Sequence, residues 1–168
     1  MDDSIAEQDN MRHEWIPSRG LNATIDVRGT IEGRLESVTF RTGVAGPWKG
    51  EYTLPFTPEI CEYLDGDREY FSFEDSCRER IERISGPFYR AVLRRTMKIP
   101  YGDTMAYSEV ADSLGSRAYR ATGSALAQNP IAIVVPCHRV VSKHGLGGFG
   151  GAVWLKRRLL ELEGADPP

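Results

Sequence analysis

The chain has 168 residues, a formal net charge of −3 and 40% apolar residues, at a mean hydropathy of −0.39. That length allows one ordinary globular domain or two small ones sharing an interface. No stretch nears the roughly 18 apolar residues of a membrane span, and the acidic start Met1-Asp2-Asp3-Ser4 lacks the apolar core of a secretory signal.

Three widely spaced cysteines, Cys61, Cys77 and Cys137, make neither a disulfide framework nor a CxxC metal site. A reducing, cytoplasmic location without membrane contact is the expectation, with a Cys61–Cys77 bridge the less favoured state. Charge is divided unevenly. Residues 1–85 hold 10 Lys/Arg against 18 Asp/Glu, whereas 86–163 hold 11 against 5. A basic working face on the second half is one reading; two solvated surfaces of opposite sign is the other.

Taken in order, residues 1–20 are polar and read as partly frayed. Thr24–Val27 and Gly33–Phe40 read as strands, the second by its period-two alternation. Trp48 falls in a Gly/Pro loop, and Tyr52–Leu54 is a candidate edge strand. Thr57-Pro58-Glu59 opens a short helix, with Thr57 as cap and Pro58 at its first position, ended by Gly66. This half reads as a small α+β unit without a catalytic constellation. Residues 67–85 are charged and irregular, and a boundary is placed near Ser85-Gly86-Pro87, dividing the chain into 1–85 and 86–168.

Phe88, Val92, Leu93 and Thr96 predict a helix that stops before Pro100. Ile99-Pro100-Tyr101-Gly102 is a turn. Ser108 caps a short helix with Val110, Ala111 and Leu114 inward, ended by Gly115. Ser116 starts another, with Ala118, Ala121, Ala125 and Leu126 on one face and Arg117 and Arg120 projecting. The pair is a candidate helix-turn-helix, although any two-helix hairpin reads alike. The continuous apolar run Ile131–Val135 predicts a buried strand stopped by Pro136. Five glycines in 145–151 suit either a backbone that approaches a ligand or a flexible hairpin tip. A closing helix from about Ala152 to Leu162 turns Leu155, Leu159 and Leu162 inward.

Directly after Pro136 stand Cys137, His138 and Arg139. A structural cysteine would be buried among apolar groups; an imidazole and a guanidinium beside it are costly at a core edge unless they have a task. A thiol next to a potential base is the arrangement of an activated nucleophile.

Pro136-Cys137-His138-Arg139-Val140, preceded by Asn129-Pro130 and followed by Gly150-Gly151, Lys156, Leu159-Leu160 and Glu163-Gly164, resembles the O6-alkylguanine-DNA alkyltransferases. Ile99-Pro100-Tyr101-Gly102 and Arg120-Ala121…Gly123 match in the same order. The resemblance is dense over 86–164, and 1–85 is assigned by attachment. It implies an α+β protein: a small N-terminal ribonuclease H-like α+β domain, then a helical, winged helix-turn-helix-like C-terminal domain. It implies a monomer that binds duplex DNA carrying O6-alkylguanine, flips the damaged nucleotide out of the stack and moves the alkyl group onto Cys137.

The same resemblance assigns roles by position. His138 acts through a water as base, oriented by Glu163, and Lys156 favours the thiolate. Bringing a thiol of pKa about 8.5 near 6.5 requires roughly 2.7 kcal/mol of preference for the anion. Tyr107 donates to guanine N3, the Cys137 and Val140 carbonyls accept from the exocyclic amine, and the Gly150 amide donates to O6. Phe149 stands where a tyrosine often covers the base, which keeps the stacking surface and loses a hydroxyl. Ser116, Arg117, Arg120, Ala121 and Arg139 face DNA, with Arg120 as the wedge that replaces the extruded nucleotide, and Asn129 ties the recognition helix to the cysteine turn. No cofactor and no metal are expected, since His13, Cys61 and Cys77 form no convincing zinc set. Three other readings compete: a damage-binding relative without chemistry, which Cys137 disfavours; a winged-helix regulator; and a thiol hydrolase, for which no oxyanion donor pair is evident.

Overall fold

The computed structural model describes residues 10–43 and 51–166, so Trp48 and most of the acidic N-terminal stretch lie outside the described residues. Three antiparallel strands, β1 (Met11–Ser18), β2 (Ala23–Thr30) and β3 (Leu35–Thr42), form a sheet in that order. Ile25 and Val27 of β2 join the core, and Arg28 stands on the opposite face with Asp26, as strand alternation requires. β1 occupies part of the stretch expected to fray. Glu14 takes one of its inward positions, which hides the alternation from a hydropathy reading. Its carboxylate is buried and satisfied, accepting from the Thr53 amide at 2.5 Å, the Leu54 amide at 3.0 Å and the Thr57 hydroxyl at 2.5 Å. The same carboxylate explains two further differences. Tyr52–Leu54 runs to Glu14 instead of pairing as an edge strand, and Thr57 bonds to Glu14 instead of capping its helix, whose N-cap is Phe56.

Helix α1 (Thr57–Asp65) ends at Gly66, in the left-handed region at φ 83°. Helix α2 (Glu74–Glu82) occupies the segment expected to be irregular; it buries only Cys77 and Ile81, too few to print a helical period on so charged a stretch. Helix α3 (Pro87–Thr96) follows the expected pattern, burying Val92, Leu93 and Thr96. Helix α4 (Tyr107–Asp112) starts after Ala106, whose amide donates to Glu109 Oε2 at 2.6 Å, so Ser108 lies inside the helix rather than at its cap. Helix α5 (Tyr119–Ala127) buries Thr122, Ala125 and Leu126 and leaves Ala118 exposed at its start. Helix α6 (Val153–Leu162) buries Leu155, Lys156, Leu159 and Leu160. Two short strands, β4 (Met105–Ala106) and β5 (Val140–Val141), pair in parallel.

The largest departure is at 131–135, which is not a strand. Ile131 makes a single parallel bridge to Val38, held by Val38 N–H to the Pro130 carbonyl at 2.9 Å and Ala132 N–H to the Val38 carbonyl at 2.8 Å. The chain then turns, with Ile133 at φ 73°, a conformation strained for a β-branched residue. The run is apolar throughout because each of its residues is buried, a condition that a turn inside a core meets as well as a central strand. One hydrophobic cluster joins Val27, Val38, Ile60 and Ile81 to Leu93, Ile131, Val140 and Leu155, so both halves share a core in an α+β fold. Among the described residues no helix is long and apolar enough to cross a membrane.

Candidate active site

Docking of residues 130–132 on β3 delivers the next residues to the interior. Cys137–Arg139 form a single 3₁₀ turn behind Pro136. Asn129 fastens that turn: its Nδ2 donates to the Val135 carbonyl at 2.8 Å and its Oδ1 accepts from the Ile131 amide at 3.0 Å.

His138 is fully buried and its Nε2 lies 2.7 Å from Glu163 Oε1. A carboxylate only accepts, so the proton sits on Nε2 and Nδ1 keeps its lone pair. Nδ1 is buried and has no hydrogen-bond partner among the described residues. Arg139 forks onto Glu163, with Nε to Oε2 at 2.8 Å and Nη2 to Oε1 at 2.9 Å, and donates to the Ile99 carbonyl at 2.6 Å. Tyr63, from α1, donates its hydroxyl to Glu163 Oε1 at 2.6 Å. The Gly102 amide faces Oε2 at 3.4 Å. Gly102 has φ 79°, and a Cβ there would sit 3.1 Å from the Glu163 carbonyl, which ties this turn to glycine on both counts.

Burial alone would raise the Glu163 carboxyl, but the bonds from His138 and Arg139 reverse this and hold it at about 2. Burial lowers His138, helped by the Arg139 and Lys156 charges against the pull of Glu163, so the imidazole rests neutral. Burial also pushes the Cys137 thiol up, outweighing the Asn129 hydrogen bond, the Lys156 charge and the local amides. The thiol rests protonated beside a neutral base, because the pocket that shields it from water also withholds solvation from its anion.

Lys156, expected near the thiol, is fully buried and donates to the Val140 carbonyl at 2.6 Å. Burial brings its ammonium down to about 8, and negative charge on the Cys137 sulfur would act in the opposite sense. It also lies 5.4 Å from the centre of the Tyr107 ring. The Tyr107 hydroxyl donates to the Gly148 carbonyl at 3.1 Å. At Gly147, φ is 72° and a Cβ would come within 2.8 Å of that ring. Gly147 and Gly148 thus pack against Tyr107.

Cys137 opens on a cavity of about 590 Å³ lined also by Tyr107, Asn129, Phe149 and Gly150, with Gly123 and Leu126 from α5. Part of the lining comes from the first half: Thr39, Phe40 and Thr42 of β3 line the same space, and the Phe40 ring lies 6.3 Å from that of Phe149. Outside it, Arg117, just before α5, and Arg120, in its first turn, are exposed, with Ala121 half-buried. Ser116 accepts the Ala118 amide through its hydroxyl at 3.1 Å.

The family model described as 6-O-methylguanine DNA methyltransferase, DNA binding domain, matches residues 87–165. A methylated-DNA–protein-cysteine methyltransferase of Saccharolobus islandicus is 50% identical over 91 residues, 54% of this chain and 60% of that protein. The match therefore spans under two thirds of the curated relative. Mycobacterium tuberculosis O6-methylguanine methyltransferase superposes with a TM-score of 0.71 at 29% identity, over 92% of this chain and 93% of that one. A Mycobacterium tuberculosis structure in complex with DNA is 30% identical over 90% of this chain and 92% of its own, at a TM-score of 0.66. The chain belongs to the O6-methylguanine-DNA methyltransferase family.

Within this family frame the structure corrects two readings. Arg139, expected on the DNA face, is only 6% exposed and bonded to Glu163 and the Ile99 carbonyl, so it serves the interior ion pair. The first half does contribute to the site, through Tyr63 on Glu163 and through the β3 wall. Tyr63 stands 100 residues from Glu163 in sequence. Its one sequence signal was a tyrosine on the apolar side of a short helix, where a core role reads identically.

Proposed function

We propose that this chain repairs O6-alkylguanine in duplex DNA by transferring the alkyl group to Cys137, once per molecule. The observation that carries this reading is a free thiol on the wall of a cavity, next to a buried neutral imidazole locked by Glu163. Relatives named methylated-DNA–protein-cysteine methyltransferases and a family relative solved with DNA support the substrate class.

In this mechanism the thiol proton passes to His138 Nδ1 through a water, and Glu163 stabilises the imidazolium. The Cys137 sulfur attacks the alkyl carbon in line; the S–C bond forms as the C–O6 bond breaks. The bond's electron pair leaves on guanine, which ends with the proton the thiol lost. Tyr107 donates at N3 during departure, the Cys137 and Val140 carbonyls and the Gly150 amide hold the base edge, and Lys156 favours the developing thiolate. Residues 1–85 form a ribonuclease H-like unit and 86–168 a winged helix-turn-helix-like unit. In the latter Ser116, Arg117, Arg120 and Ala121 meet DNA, Arg120 fills the gap left by the flipped base, and Asn129 links α5 to the cysteine turn. The protein works as a monomer wherever the cell keeps its DNA.

Incubation with DNA containing O6-methylguanine, followed by mass analysis of the Cys137 peptide, tests the reading. A gain of one methyl group on that peptide is expected. Unmodified Cys137 after loss of O6-methylguanine from the DNA would overturn it.

A further inference from the structure

Glu163 Oε1 receives three donors: the Tyr63 hydroxyl at 2.6 Å, His138 Nε2 at 2.7 Å and Arg139 Nη2 at 2.9 Å. Two of them come from the cysteine turn. The third crosses from the other half of the chain. Tyr63 needs no hydroxyl for packing, because its buried ring already rests against Phe71 and Tyr101, at 5.7 Å and 6.1 Å between centres. A phenylalanine would fill the same space. The hydroxyl is nevertheless aimed at the carboxylate that orients the base, 3.4 Å from His138 Nε2 itself.

We propose that Tyr63 is a positioning residue for activation of the Cys137 thiol: its hydroxyl occupies an Oε1 lone pair of Glu163 and thereby limits how strongly that carboxylate draws on the His138 imidazole. The inference rests on the alkyl-transfer reading above for its biological reaction, though not for its chemistry. A carboxylate with lone-pair density to spare stabilises imidazolium, and an imidazole already protonated cannot accept the thiol proton. Each donor shared by Oε1 weakens that pull. Arg139 and Lys156 act in the same sense by charge, and Glu163 opposes them. Around Glu163 itself the facing groups are His138, Arg139, Tyr63 and Tyr101; the last donates to the Leu162 carbonyl at 3.1 Å and leaves Oε1 to the other three. Burial, and then the Glu163 charge, hold the Tyr63 phenol far above its ordinary range, so it remains a donor at every working pH.

The test uses the full-length protein and two readouts across pH: methyl transfer from O6-methylguanine DNA, and the rate at which iodoacetamide alkylates Cys137. Tyr63→Phe should move the acid limb of both profiles upward by about half to one pH unit, the net worth of one hydrogen bond, with the alkaline plateau kept. Replacing Tyr63 by 3-fluorotyrosine, a more acidic phenol and a stronger donor, should move the limb down. That second variant retains the hydroxyl and decides the matter if the phenylalanine variant folds poorly. Acid limbs that coincide with the wild type in both variants, or a uniform slowing at all pH values, would reduce Tyr63 to a packing residue. Iodoacetamide profiles that shift as expected in a protein that takes no methyl group from DNA would uphold the role of Tyr63 and overturn the proposed substrate.

Discussion

The Lys156 ammonium is anchored on the Val140 carbonyl at 2.6 Å, which places a buried cation on the backbone that carries Cys137. Its charge is among the influences that lower the thiol against burial. Lys156→Met keeps most of the volume and deletes the charge, and should slow iodoacetamide alkylation of Cys137 roughly 10-fold near neutral pH, as one pKa unit would. The Lys156 ammonium titrates at about 8, so it is charged below that pH and neutral above it. The ratio of wild-type to variant rate should therefore shrink as pH rises through this value. A ratio that stays level would remove Lys156 from thiol activation.

Transfer should stop at one equivalent. Attack on an alkyl carbon leaves a thioether, which offers water no carbonyl and no good leaving group. Cys137→Ala should abolish transfer and retain DNA binding, while Cys61→Ser leaves transfer intact. The alkylated protein should unfold more readily, since overpacking costs roughly 1–3 kcal/mol. Product beyond one equivalent, with Cys137 unmodified, would move the protein to the hydrolases.

Arg120 is exposed at the start of α5, beside the cavity lined by Gly123 and Leu126. Arg120→Ala should slow repair of duplex DNA far more than reaction with free O6-benzylguanine, because a free base needs no extrusion. Equal slowing of both would place Arg120 in the pocket's own chemistry.

Glu163 sets an acid limit on stability. Its carboxyl sits at about 2 in the fold against 4.5 ordinarily, so its contribution is complete above pH 4.5 and is lost as pH falls toward 2. The linkage amounts to about 3 kcal/mol. Urea titrations should show the wild type losing stability through that window, and Glu163→Gln losing correspondingly less. At neutral pH the same substitution should cost about 3–5 kcal/mol, because it strands the buried Arg139. Parallel curves for the two proteins would show that Glu163 titrates normally.

The β3 wall predicts a change in substrate size. Phe40 lines the same cavity as Cys137, its ring 6.3 Å from that of Phe149. Phe40→Ala should raise the rate with a benzyl group relative to that with methyl, measured on matched oligonucleotides. An unchanged ratio would mean the substituent points away from β3.

The nucleophile and its neighbours were legible in the sequence because they are consecutive: Cys137, His138 and Arg139 fall in one turn, and a thiol beside a base is a chemical statement at any level of structure. The helices α3 and α6 were legible too, since each buries one face at helical spacing. β1 and α2 were hidden by Glu14 and by a surplus of charge, which blur periodicity without preventing burial. The run before Cys137 looked like a strand because composition reports burial and not direction, and a turn with Ile133 at φ 73° is as dry as a sheet.

Pairings across long separations carry no periodic signal, and there tertiary structure decided. It turned Arg139 inward onto Glu163, brought Tyr63 to the same carboxylate from 100 residues away, and closed the cavity with β3. It also set the resting protonation. The sequence names a thiol and a base, but whether that thiol is ionised depends on how much water the fold leaves around it, and here burial keeps the proton on sulfur.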